Sequence, residues 1–145
     1  MQDLSTNDIL NRLLIIHARS LPMYLSYAAP WQVRRHPRFM ETLENVVFLQ
    51  KQMVDRLATL VLENGGLVEN GEFPMWFTGL HDLSVEYLLS QVILRQKKEI
   101  AYIEKCVQLL NRAPYAQAIA QEALGEAKGN LQALEEVVSE RELPA

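Results

Sequence analysis

The chain has 145 residues, 49% of them hydrophobic and 22% charged, with a formal net charge of −4. That length suits one domain with its own core, and the acidic balance argues against nucleic acid as a partner, which asks for a basic face. The single cysteine, Cys106, excludes an internal disulfide framework and a cysteine-cluster metal site.

Ser5-Thr6-Asn7-Asp8 offers an N-cap and an acidic first turn, so helix one is predicted over residues 7–29. Its apolar stripe is Leu10, Leu13, Leu14, His17, Leu21, Tyr24 and Leu25. Pro22 removes one backbone hydrogen bond and is expected to bend this helix near Arg19. A basic connection follows, Arg34-Arg35-His36-Pro37-Arg38, and reads as a solvated loop. Helix two is predicted over residues 37–64, with Pro37 in its first turn. Leu43, Val46, Val47, Gln50, Met53, Val54, Leu57, Leu60 and Val61 share one of its faces, and Gly65-Gly66 closes it.

Residues 65–79 hold Gly65, Gly66, Gly71, Pro74 and Gly79, which exclude a helix. They also hold Leu67, Val68, Phe73, Met75, Trp76 and Phe77, which a free linker would not carry. About 15 extended residues reach roughly 50 Å, and a helix of about 27 residues is roughly 40 Å long. The segment is thus long enough to set helix three parallel to helix two. Helix three is predicted over residues 80–111, with Val85, Leu89, Val92, Gln96, Ile100, Ile103, Val107 and Leu110 facing inward. Cys106 in this run reads as a small core residue. Helix four is predicted over residues 114–141, with Ile119, Ala123, Leu124, Leu131, Leu134 and Val138 inward, and a tail at 142–145 that should fray. Gly125 and Gly129 interrupt it; each disfavours a helix by up to about 1 kcal/mol relative to alanine, so close packing is the expected compensation.

The fold class read from these elements is all-α: one domain over residues 1–145, a four-helix bundle with a long crossover between helices two and three. Met1-Gln2-Asp3 is not the basic start of a secretory signal, and no stretch approaches the about 18 apolar residues of a membrane span. The expected location is cytoplasmic, with no membrane and no nucleic-acid partner.

Four long helices, a crossover after the second and a Gly-Gly helix end resemble the ferritin-like superfamily, in particular its bacterioferritin- and rubrerythrin-type members. The similarity covers nearly the whole chain, from Leu10 to Val138. His17-Ala18-Arg19-Ser20-Leu21-Pro22-Met23-Tyr24 resembles the family pattern of a glutamate followed seven residues later by tyrosine. Met53-Val54-Asp55-Arg56-Leu57 resembles the segment after the helix-two histidine, and Glu126-Ala127-Lys128-Gly129 the Glu-x-x-His of helix four. The resemblance implies a place for each metal ligand. The first glutamate falls on His17, the helix-two pair on Gln50 and Met53, and the helix-three glutamate on Gln96, with Ile93 as the alternative register. The helix-four pair falls on Glu126 and Gly129. A dinuclear site of this family uses four carboxylates and two histidines; of those positions only Glu126 keeps a carboxylate. Gln is neutral, Met is a soft thioether and Gly has no donor, so the dinuclear site is read as degenerate and ferroxidase-type activity as lost.

The expected function is a non-catalytic binding, scaffold or assembly protein without a cofactor. The alternative is an oxidoreductase or metal-binding protein with a mononuclear site near His17 and Glu126, holding a single iron, manganese or zinc ion. A third reading is a carrier with a cavity where Gly125 and Gly129 make room. His17, Tyr24, Gln50, Gln96 and Glu126 form the candidate polar core. Tyr24 could be a redox tyrosine, but a buried ring with a bonded hydroxyl is the commoner role. For Glu126, Lys97 or His17 is the expected partner, or else the carboxylate faces solvent. Trp31, Phe73, Trp76 and Phe77 either mark a protein interface or pack on their own bundle. The resemblance implies a homodimer through helices one and two.

Overall fold

The computed structural model describes residues 5–142. Residues 1–4, on which the reading of the N-terminus rests, and residues 143–145 of the tail lie outside the described residues. Among the described residues the chain forms six α-helices and one 3-10 helix, with no strand. None of these helices is long and apolar enough to cross a membrane.

Helix α1 (Thr6–Ala18) starts on a capping box. The Asp8 N–H donates to Ser5 Oγ at 3.0 Å, and the Ser5 N–H donates to the Asp8 carboxylate at 3.2 Å. The expected single bent helix over residues 7–29 is in fact two. Helix α1 stops at Ala18, and α2 (Leu21–Ala28) begins afresh. Ser20 Oγ caps α2 by accepting from the Met23 N–H at 3.1 Å. Pro22 then sits in the first turn, where no intrahelical partner for its missing N–H is needed, so the proline starts a helix rather than bending one.

A single turn, α3 (Trp31–Arg34), leads into the basic stretch, whose Pro37 and Arg38 already belong to α4 (Pro37–Glu63). Helix α4 closes as its glycines predict. The Gly66 N–H donates to the Val61 carbonyl at 2.9 Å and the Gly65 N–H to the Leu62 carbonyl at 3.0 Å, with Gly65 at φ 77°. After residues 64–74 comes the 3-10 helix Met75–Leu80, then α5 (Val85–Leu109) and α6 (Pro114–Glu142). Helix three was expected from residue 80. It starts at Val85 because Ser84 Oγ caps it, accepting from the Tyr87 N–H at 3.2 Å.

The core divides into two apolar clusters. The first joins Leu10 and Leu14 of α1, Leu57 and Val61 near the end of α4, Ile103 and Cys106 near the end of α5, and Ala116 and Ala120 at the start of α6. The second joins Leu21 and Leu25 of α2, Phe39 and Leu43 at the start of α4, Val85 and Leu88 at the start of α5, and Leu134 and Val137 in the second half of α6. Helices α4 and α5 therefore run in the same direction, and α1–α2 and α6 run against them. The segment between α4 and α5 must carry the chain from the first cluster to the second.

That segment is strapped to α1. Asn64 Nδ2 donates to Asn7 Oδ1 at 3.1 Å. Asn11 Nδ2 donates to the Leu67 carbonyl, and Asn11 Oδ1 accepts from the Glu69 N–H, both at 2.9 Å. Gly71, at φ 63°, crosses Ile15, and Arg19 Nε donates to the Asn70 carbonyl at 3.0 Å. Asn7, Asn11, Ile15 and Arg19 recur every fourth residue and so line one face of α1.

Gly125 and Gly129 do not pack closely as expected. Both are exposed, and a Cβ built on either meets no atom within 4 Å. They make no room for a ligand either. With open space around each, Gly125→Ala and Gly129→Ala are each expected to stabilise the fold by about 0.5–1 kcal/mol, read from urea unfolding midpoints. A loss of stability in either variant would mean an unseen neighbour.

Candidate functional site

Between the two apolar clusters lies a polar layer to which α1, the cap of α2, α4, α5 and α6 each contribute one buried residue. His17 falls between Leu14 and Leu21, Gln50 between Leu43 and Met53, Gln96 between Val92 and Ile103, and Asn130 between Ala127 and Leu134. Ser20 completes it at the α1–α2 break.

The His17 Nδ1–H donates to the Leu13 carbonyl at 2.7 Å. A carbonyl only accepts, so the proton sits on Nδ1 and Nε2 carries the lone pair. Burial pushes the imidazole pKa below its ordinary value, against the smaller upward pull of the Leu13 carbonyl, so His17 is neutral. Ser20 Oγ donates to Gln50 Oε1 at 2.7 Å. The one hydroxyl therefore caps α2 and ties the break to α4. Gln96 Nε2 donates to the Ala127 carbonyl at 3.1 Å, while Gln96 Oε1 is buried with no hydrogen-bond partner.

Of the positions marked by the resemblance, the structure brings His17, Gln50 and Gln96 into this layer and sets Met53 beside it in the first apolar cluster. Ile93 is half-buried against the second cluster, so on α5 the inward position is Gln96. Helix α6 is rotated relative to the expected register. Gly129 is exposed and Glu126 half-buried, while Ala127 and Asn130, one residue further on, face inward. Desolvation raises the Glu126 carboxyl above its ordinary value; Arg56 opposes this and Glu122 adds to it. Arg56, which is also paired with Glu122 at 2.5 Å, is thus the charged neighbour of Glu126 that Lys97 and His17 were expected to be.

Tyr24 lies in the second cluster, outside the layer. Its hydroxyl is hydrogen-bonded to His81 Nε2 at 2.5 Å, and its ring packs on Phe73 and Phe77 at 5.3 and 5.4 Å. Phe77 is fully buried and Phe73 half-buried, so these two pack on their own chain. Trp31 and Trp76 stay exposed, Trp31 with Arg35 stacked 4.2 Å from its ring. Cys106 is buried and its thiol is pushed up to about 11 by desolvation, which keeps it protonated and a poor nucleophile at neutral pH.

The layer's side chains are one imidazole, one hydroxyl and three carboxamides, with no buried carboxylate among the described residues. Such a set does not fit two bridged divalent cations, which need anionic oxygen for charge balance. Among the described residues, no three His, Cys, Asp or Glu side chains come together in a way that could hold a metal ion. Ser20 and Asn130 are members that sequence reading missed. The signals were present: Ser20 stands two residues before a proline, and Asn130 four before Leu134. Comparison with protein families, with curated proteins and with solved structures gives no match for this chain.

Proposed function

We propose that this protein is a ferritin-like four-helix bundle without catalytic function, acting as a binding or assembly protein that associates with a second copy of itself. The observation that carries the reading is the Ser20–Gln50 hydrogen bond. The position where a diiron bundle would spend a carboxylate on metal is used here to hold the break between α1 and α2. The parallel run of α4 and α5 and the long strap between them support the ferritin-like assignment.

The face for self-association is the outer side of α1–α2 and α4. A cavity of about 810 Å³ opens there between Met23, Tyr27, Val47 and Val54, and Phe48 and Leu62 stand exposed on the same helix α4. Lys51 and Asp55 line it one turn apart. Where two α4 helices cross antiparallel on a two-fold axis, each Lys51 meets the other copy's Asp55, so the face is complementary to itself.

Sedimentation equilibrium tests this. The chain should be a dimer. Lys51→Glu and Asp55→Lys should each weaken it by about tenfold or more, and the double exchange should restore it. A monomer at all concentrations would refute self-association. Elemental analysis of the same protein, purified without chelator and supplied with iron, manganese or zinc, tests the other half. About two tightly held ions per chain would refute the loss of the dinuclear site.

A further inference from the structure

Helix α1 packs more loosely on α5 than on α4, and a groove of about 340 Å³ opens along that seam. Ile15 and Ile16 of α1 and Tyr102 of α5 give it apolar walls, while Arg12, Arg95 and Lys98 surround it with Glu99 as its one acidic group. The volume is at the lower end of that of small-molecule sites, about 300–1,000 Å³.

Arg95 is held in place before any ligand arrives. Its guanidinium lies 5.4 Å from the Trp76 ring and 5.8 Å from the Phe77 ring, and its Nε is buried without a hydrogen-bond partner. Arginine stays protonated, so Arg95 brings a fixed positive charge to the groove lining. Desolvation raises the Glu99 carboxyl to about 7, against the opposing pull of Arg95. At neutral pH the groove therefore holds three cations against a carboxyl that is only partly ionised.

We propose that this groove binds a small organic monoanion, a medium-chain or single-ring carboxylate. Its head sits among Arg12, Arg95 and Lys98, and its apolar body lies on Ile15, Ile16 and the Tyr102 ring. A bare inorganic anion would leave the isoleucine walls unused, and a neutral apolar molecule would leave Arg12, Arg95 and Lys98 without a counter-charge. The groove borders the strap-bearing face of α1, sharing Ile15 with it, and does not depend on self-association through α4.

Titration with octanoate, followed by two-dimensional amide NMR, tests it, with octanol as the uncharged probe of equal chain length. Saturable shifts are expected at Ile15, Ile16, Lys98 and Tyr102 with octanoate and far weaker ones with octanol. Arg12→Gln with Lys98→Gln should weaken octanoate by about fivefold or more, and Arg95→Gln should do the same. The first pair consists of exposed helix residues, so it remains a valid test if the Arg95 variant does not fold. Equal binding of octanol, or parental affinity in the Arg12/Lys98 double variant, would overturn the proposal. So would octanoate shifts confined to residues outside the seam.

Discussion

Glu99→Gln is expected to stabilise the folded chain at pH 8 by about 2 kcal/mol and to change little at pH 4.5. In the fold the Glu99 carboxyl is raised from 4.5 to about 7, chiefly by desolvation, with Arg95 pulling the other way. The sign follows from the direction. A group whose folded value lies above its unfolded one supports the fold fully below the unfolded value, and that support is lost as pH rises through the folded value. At pH 8 the ionised carboxylate is held in a poorly solvated groove, a penalty that a neutral amide of the same shape does not meet. At about 1.4 kcal/mol per pH unit, the gap corresponds to roughly 3 kcal/mol, and water reaching the half-buried group reduces it toward 2. His17 gives the opposite slope. Its folded value is lowered by burial, so its support is present above the ordinary 6.5 and declines as pH falls below it. Glu126, raised like Glu99, adds to the alkaline slope. Both groups are unchanged in the variant, so the difference between variant and parent isolates Glu99. Urea unfolding of both proteins at pH 4.5 and pH 8 gives the answer, and an equal effect at the two pH values would mean that the carboxyl is well solvated.

Gly71→Ala should destabilise the chain by about 2–3 kcal/mol, against about 1 kcal/mol for Gly65→Ala. Both glycines have positive φ, 63° and 77°. A side chain at either position meets the left-handed penalty of about 1–2 kcal/mol. Around Gly65 nothing lies within 4 Å of an added Cβ, so that penalty is the whole effect. At Gly71 the added Cβ would stand 2.9 Å from Ile15 Cγ2, so the strap must also lift away from α1. Lifting it stretches the Asn11 and Arg19 hydrogen bonds on either side. Ile15→Ala in the Gly71→Ala background should recover part of the excess, because it removes the clashing methyl. Thermal midpoints of the four proteins decide this. Equal losses at Gly65 and Gly71 would show that the strap is not seated on α1.

Several element boundaries were legible because a local signal marks them. Ser5 with Asp8, Pro37, Gly65-Gly66 and Pro114 act within one turn of themselves, and the helices start or stop there. The length of the gap after α4 and its aromatic content also pointed to a crossover, because reach depends only on chain geometry. The break at Ser20 was misread as a bend. A proline in a long apolar stripe admits both outcomes; here Ser20 caps α2 and its hydroxyl is also tied to Gln50, thirty residues away.

The polar layer was legible in part. His17, Gln50 and Gln96 stand on strongly patterned faces, whereas α6 is weakly patterned. Ala116, Ala120, Ala123 and Ala127 face inward, while Leu124 and Leu131 lie half-buried beside them. A helix whose inward side is mostly alanine shows little contrast between faces, so its rotation was set by the helices it packs against. For that reason Glu126 and Gly129 were assigned inward and Asn130 was overlooked. Nothing on α5 itself marks Glu99 as a poorly solvated carboxyl; that depends on α1 lying across it. Sequence alone thus determined what acts within a turn or two of chain: caps, stops, apolar faces and a crossover of sufficient length. Tertiary structure decided helix rotation, strap seating and the state of buried charges, because these depend on the dielectric and shape supplied by residues distant in the chain.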